Sequence, residues 1–526
     1  MSTNPSSSNR QIARAAGTVM VALALSNITN LVSLVLNASA FGARGEMDAF
    51  LAANRVSETL FVLMAGGALG SAFIPTFTGL LTQQKRATAW KLASAISNLV
   101  LGTLTLAAIL AAIFARPLVR YVLAPGFGDD PAQEALTVQL LRVMLPSAVI
   151  FGLSGLVMGI LNAHQKFFIP ALTPALYRLG MIFGVLVLAP SMGIFGLAWG
   201  VILGASLHLL SQIPSLLRLQ GRRYVPTLGL HLPEVREVGV LMAPRLFGVA
   251  AVQLNFWVNT RLASRMIEGS VTGVSWALTI MLMPQALIAQ AVATAALPTL
   301  SAQYALGKMD ELRGSLAASL RGILLLALPA AVGLVLLRQP IVALMLEYGQ
   351  FDERSTQMVS WALLWYALGL VGHCLVEILS RAFYALHNTK TPVTIGVLVM
   401  ALNIGLSVLF AAWFRRLGWL PHGGLAAANS LATALEAITL WALMQRRLGG
   451  LRGQWVARGA WQSVLAAGAM GVFLWGWLNF AVTVPAWMVG LGGVILGGAI
   501  YAGALILLKV EEIRSLGNIL HRRVFR

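Results

Sequence analysis

The sequence predicts an all-α integral membrane protein with about 14 transmembrane helices, two parallel six-helix repeats plus two extra C-terminal helices. Three observations predict it. The first is composition: of 526 residues, 58% are hydrophobic and 10% charged, with a mean hydropathy of +0.80, which sets the chain apart from soluble globular proteins. The second is that apolar stretches of about 20 residues, long enough to cross a hydrocarbon core, follow one another almost to the end. The third is an internal repeat. Ala72-Phe73-Ile74-Pro75-Thr76-Phe77 returns as Ala295-Ala296-Leu297-Pro298-Thr299-Leu300, an offset of 223 residues (298 − 75). Pro117-Leu118-Val119 returns as Pro340-Ile341-Val342 at the same offset (340 − 117). Leu123 to Asp130 is answered by Leu346 to Glu353, and Ala163-His164-Gln165-Lys166 by Leu386-His387-Asn388-Thr389-Lys390. Two homologous halves in a helical membrane protein point to a transporter.

Taken in order, the spans fall at 12–41, 48–80, 91–115, 135–162, 167–189 and 193–217 in the first half. The second half places them at 235–264, 271–305, 314–337, 356–385, 391–414 and 423–445. Two more, at 458–482 and 486–508, have no counterpart in the duplication. Helices are required because lipid offers the backbone no hydrogen-bond partner, and alternating strand patterns of barrel type are absent. Met1 to Asn9 is a short polar tail, and the helix after it is too long for a cleavable signal. The domains expected from this layout are an N-terminal six-helix lobe at 1–219 and a cytoplasmic linker at 220–234. A C-terminal six-helix lobe at 235–450 follows, then two additional transmembrane helices and a basic tail at 451–526. The last pair is rich in Gly and Trp, including Gly468, Trp475, Gly490, Gly493, Gly497 and Gly498. Such glycines permit close helix approach. The pair either holds a lipid tail or pads the bundle.

A net charge of +19 would suggest nucleic acid in a soluble protein. Its placement says otherwise. With the N-terminus inside, about 24 Lys and Arg fall in cytoplasmic segments or the tail and about eight on the opposite side, the bias of the positive-inside rule. Lys85, Arg86, Lys166, Arg218, Arg222, Arg223, Arg321 and Arg446 are among the former, Arg44, Arg116 and Arg265 among the latter. The charge therefore reports topology and contact with anionic membrane lipids, and both termini are expected in the cytoplasm. A single cysteine, Cys374, excludes an intramolecular disulfide, and no Cys/His cluster has metal-ligand spacing.

Ionisable groups inside spans cost a few kcal/mol and each needs a reason. Arg55 and Glu58, three apart on span two, can pair on one helical face, and Asp48 complements the dipole at that helix's start. Span seven is the most polar, with Arg245, Gln253, Asn255, Asn259 and Arg261; Asn255 and Asn259 share a face at i,i+4. Span one offers Asn27. These side chains either face a common cavity or glue helices together, since interhelical hydrogen bonds are common in membranes. Glu377 and Arg381 read as a structural i,i+4 pair. Arg142 and Arg178 either snorkel or face the cavity.

The motifs resemble those of the MurJ (MviN) family of lipid II flippases in the MOP exporter superfamily. Phe41-Gly42-Ala43 with Asp48-Ala49-Phe50, Ala72-Phe73-Ile74-Pro75 and Leu123-Ala124-Pro125-Gly126-Phe127 carry the likeness. So do Gly159-Ile160-Leu161-Asn162-Ala163, Tyr348-Gly349-Gln350-Phe351 and Arg381-Ala382-Phe383-Tyr384-Ala385-Leu386. The family's cavity arginines lie on helices one, two and eight. At the helix-one positions this chain has Asn27 and Ser33, and around the helix-two position Phe61 and Val62. The family's Tyr-Ala-Asp-Arg-Leu on helix eight reads Trp276-Ala277-Leu278-Thr279-Ile280, which puts Thr279 at the arginine position. The sodium site of some members corresponds to Asn259, Asn403 and Ser407, without its carboxylates. A pyrophosphate prefers bidentate Arg, so Arg55, Arg245 and Arg261 are the cationic candidates left.

The resemblance implies a flippase that moves an undecaprenyl-pyrophosphate-linked glycan, lipid II, across a bacterial cytoplasmic (inner) membrane, without cofactors or covalent chemistry. It also implies cell-wall synthesis proteins as partners. The alternatives are a flippase for another polyprenyl-linked glycan, an exporter of amphipathic cations, or a non-transporting scaffold of the cell-wall machinery.

Overall fold

The computed structural model describes residues 5–64, 68–481 and 483–512. Val482 and the basic tail with Arg514, Arg522, Arg523 and Arg526 lie outside the described residues, as do the first four residues of the N-terminal tail.

Among the described residues, thirteen helices are long and apolar enough to cross a membrane, from Ala24–Phe41 to Ala486–Leu507. Span two is the fourteenth. Its residues fall in two helices, Gly45–Met64 and Ala68–Thr82, and Glu46, Asp48, Arg55 and Glu58 dilute the hydropathy of the first. Most predicted spans match within a few residues, the exceptions being span one, which begins at Ala24, and span nine, which runs on to Leu346: Arg86–Ile113, Pro131–Ala163, Phe168–Met192, Ile194–Leu217, Pro233–Ala263 and Ser270–Ala305 lead into the second half. Met309–Leu346, Glu353–Ala385, Lys390–Arg416 and His422–Leu448 complete the repeat, and Gly453–Phe480 and Ala486–Leu507 are the appended pair.

The repeat survives as geometry. The turn ending span two has Gln84 at φ 61°, and its counterpart 223 residues on, Gly307, has φ 69° (307 − 84). Lys85 and Lys308 then sit at matching helix starts, with φ −82° and −80°. Within each half the same partners pack: span two on span four as eight on ten, four on six as ten on twelve, five on six as eleven on twelve.

Packing nevertheless divides the chain elsewhere than the repeat does. One compact unit runs to Glu268 and takes in Tyr348–Phe351; the other holds Gly269–Glu347 and the chain from Asp352 onward. Span seven, expected to open the second lobe, therefore belongs with the first unit, where it packs on spans two and three. The segment expected as the cytoplasmic linker is fastened to span three in the same unit. Ser94 Oγ accepts from Val225 N at 3.1 Å, and Asn98, one turn on, donates to Thr227 O at 2.8 Å and accepts from Tyr224 Oη at 2.7 Å. A duplication records ancestry, whereas the boundary of a unit follows where side chains meet.

The core of the first unit gathers around Phe73, Phe77, Trp90, Leu161 and Val238. Phe73 and Phe77 stack at 5.0 Å, and Phe77 meets Trp90 edge-on at 6.1 Å. In the second unit the appended helices pack on span nine. Three of their glycines make the close approach expected of them: a Cβ on Gly490 would lie 3.1 Å from Pro340 O, one on Gly493 2.7 Å from Leu337, one on Gly497 3.1 Å from Leu474. Gly468 and Gly498 face open space.

Arg321, counted among the cytoplasmic basic residues, is buried: it is 1% exposed inside span nine. Its Nε lies 2.6 Å from Glu512 Oε1, its Nη2 donates to Glu512 Oε2 at 3.1 Å, and its guanidinium covers the Trp455 ring at 4.4 Å. A buried cation needs such partners. The chain after span fourteen is thereby tied back to spans nine and thirteen.

Candidate functional site

Spans two and seven meet inside the first unit, and of the predicted polar residues Arg55 and Gln253 each make a contact from one span to the other. Span two begins at Gly45 with Glu46 and Asp48 in its first turn, where carboxylates favour the helix N-terminus. One face further along carries Arg55 and Glu58, whose Nη1 and Oε2 are 3.0 Å apart. The Arg55 side chain is 14% exposed and that of Glu58 48%. On its other side the Arg55 guanidinium lies over the Phe256 ring of span seven at 5.0 Å, a cation–π contact.

Thr59 stitches the two helices together one turn later. Its hydroxyl donates to Arg55 O at 2.7 Å and accepts from Gln253 Nε2 at 3.1 Å and from Trp257 Nε1 at 2.8 Å. One donor and two acceptor positions are all in use. Gln253 and Trp257 reach it together because they are four apart on one helical face. Thr59, Phe256 and Trp257 escaped the sequence reading, since a threonine and two aromatics in an apolar helix look like packing. The i,i+4 spacing of Gln253 and Trp257 was the available signal.

The remaining span-seven residues separate by role. Asn259 Nδ2 donates to Asn255 Oδ1 at 3.2 Å, and both residues are buried. Arg261 donates to Tyr121 O, and to Val122 O at 3.2 Å. Those carbonyls belong to the π-helical turn Leu118–Leu123, a widened turn whose carbonyl groups Arg261 satisfies. Arg261 thus serves the end of span three. Arg245 differs: it is exposed, and among the described residues it makes no ion pair or side-chain hydrogen bond. It stands eleven residues (256 − 245) before Phe256, about 16 Å along a helix at 1.5 Å per residue. Arg55 and Arg245 therefore sit at different depths rather than side by side.

Asn27 on span one is exposed, and Asp48 is buried at 2% exposure. Thr279 and the pair Asn403 and Ser407 fall in the second unit. Thr279 Oγ1 donates to Ser275 O of its own helix at 2.9 Å, and Ser407 Oγ lies 3.4 Å from Asn403 Oδ1. Glu377 and Arg381 form the expected pair at 2.6 Å, with Arg381 also donating to Thr294 Oγ1. Arg142 donates to Ala112 O at 3.1 Å, and Arg178 lies over Tyr177 at 5.4 Å.

Where spans one and two join, the first unit holds four segments together. Gly45 N donates to Glu268 Oε1 at 2.7 Å and Gln350 N to Ser39 O at 2.8 Å. Gly126 N donates to Ser264 Oγ at 3.3 Å. Gly126 and Gly349, 223 residues apart (349 − 126), each press on a helix end: a Cβ would come within 2.0 Å of Ser264 O and 2.4 Å of Ser39 O. Only glycine fits either place.

The arrangement offers cationic and amide groups within membrane helices, with the chemistry of binding and release. A sequence model of the family described as "Lipid II flippase MurJ" matches residues 37–495. The lipid II flippase MurJ of Burkholderia cenocepacia is 32% identical over 80% of this chain and 82% of its own. A probable lipid II flippase MurJ from Vibrio cholerae is 30% identical over 94% and 96%. A solved structure of a lipid II flippase MurJ in an inward closed conformation superimposes with a TM-score of 0.78 at 25% identity, covering 97% of this chain and 99% of that one. An inward-facing multidrug resistance MATE family transporter of the MOP superfamily shares the fold with a TM-score of 0.68 at 18% identity, covering 83% and 99%.

Proposed function

The chain belongs to the MurJ family of lipid II flippases, and from that membership we propose that it carries lipid II from the inner to the outer leaflet of the bacterial cytoplasmic membrane by alternating access. The observation that carries this reading is the match through both six-span repeats, because transport by this fold needs both halves. This is a family of transporters, and moving a lipid headgroup asks for no covalent step. Both termini lie in the cytoplasm in this reading, in keeping with the positive-inside bias.

The headgroup's pyrophosphate needs cations in the membrane interior. Arg245 suits that task best: it is exposed within span seven and lacks a partner among the described residues, a costly state that binding an anion relieves. Arg55 is the second cation, and its pairing with Glu58 and Phe256 lets it exchange a carboxylate for a phosphate. Their difference in depth makes them successive stations for the headgroup. Rescue of a flippase-depleted bacterium, read by exposure of lipid II on the outer leaflet, tests the assignment.

Asn259, Asn403 and Ser407 do not fit sodium of the family type, because the set is neutral and hard cations favour carboxylate oxygens. Transport is therefore expected to be nearly independent of sodium. Flipping measured at fixed membrane potential, with sodium exchanged for potassium or choline, should change less than about twofold; a steep sodium dependence contradicts this.

A further inference from the structure

A cavity of about 390 Å³ opens beside the turn between spans four and five, away from the polar cluster of spans two and seven. Lys166 and Arg218 both line it, with Ser215, Phe167 and Phe168. No carboxylate does, and among the described residues neither cation has an ion pair or side-chain hydrogen bond. Gln165, at φ 60°, turns the chain there, and Lys166 N is held by Leu161 O at 2.9 Å. Span five then starts at Phe168 without a side-chain cap. A helix start of this kind attracts anions. Two like charges converging on a pocket without an acid repel one another until an anion joins them.

The surroundings say which anion. Phe168 is 49% exposed, and exposed apolar side chains continue along spans five and six, which pack together: Leu179 and Phe183 on one, Leu203, Leu207 and Leu210 on the other. The positive-inside assignment puts Lys166 and Arg218 at the cytoplasmic surface. We propose that this cavity binds the phosphodiester headgroup of an anionic inner-leaflet phospholipid, whose acyl chains lie along spans five and six. Lys166 and Arg218 contact the phosphate, Ser215 donates to one of its oxygens, and the phenyl rings sit at the level of the glycerol.

The full-length protein, delipidated in detergent and titrated with phosphatidylglycerol under native mass spectrometry, tests this. One tight adduct is expected that Lys166→Gln/Arg218→Gln weakens by about tenfold or more, and that Lys166→Arg/Arg218→Lys retains. Phosphatidylcholine of the same chain length should not replace it, and millimolar inorganic phosphate should not displace it. Unchanged affinity in the neutral variant, equal binding of phosphatidylcholine, or displacement by inorganic phosphate would each overturn the proposal, the last by making this a site for soluble phosphate. Both substituted side chains are exposed, so the variants keep the fold, and a monodisperse elution profile verifies it.

Discussion

Arg245→Ala is expected to abolish rescue of a flippase-depleted strain while the protein accumulates in the membrane at near-normal level. The side chain is exposed and without partners among the described residues, so its removal costs the fold no contact. The substrate would lose a charge-assisted hydrogen bond to phosphate, about 1.5–3 kcal/mol, or roughly tenfold to a hundredfold in affinity. Arg245→Lys should restore part of the activity, because an ammonium supplies charge without the bidentate fork. Arg55→Ala should act in the same direction and leave Glu58 unpaired, a carboxylate exposed enough to hydrate. The combined Arg55→Ala/Arg245→Ala variant is the sharper test: full activity there places the headgroup elsewhere.

The second large effect concerns stability. Glu512→Ala strands Arg321, whose side chain is 2% exposed, without its counter-ion. Breaking a buried pair from one side costs about 3–5 kcal/mol, and the Trp455 ring and the Gln462 Oε1 contact at 3.4 Å favour the lower end. Thermal unfolding in detergent should move down by several degrees. Adding Arg321→Met should recover most of the loss, since an apolar side chain of similar length asks for no partner. If Glu512→Ala unfolds like the unaltered protein, the tail is not anchored through this pair.

Much of the fold could be read from the sequence because the bilayer imposes a length and an apolar composition on every span, and the duplication repeats them. Arg55 and Glu58 were legible for a related reason: their spacing alone places them on one helical face. The contact of Arg261 with Leu118–Leu123 was not legible, because nothing in that segment marks a π-turn with carbonyls to satisfy. The burial of Arg321 was not legible because its carboxylate partner, Glu512, lies 191 residues away in the sequence. Span seven's allegiance to the first unit was hidden for the same reason. Contacts such as Thr59 with Gln253 and Trp257 join residues about 194 apart, and local pattern does not encode them.

The flippase assignment is tested most directly on the membrane itself. Cells depleted of their own flippase and supplied with this chain should expose lipid II on the outer leaflet, where a headgroup-cleaving enzyme added from outside can degrade it. The account predicts that this degradation returns to the level of undepleted cells and falls away with Arg55→Ala/Arg245→Ala. Lipid II that stays protected from the enzyme, in cells where the unaltered chain is present at normal abundance, would contradict it.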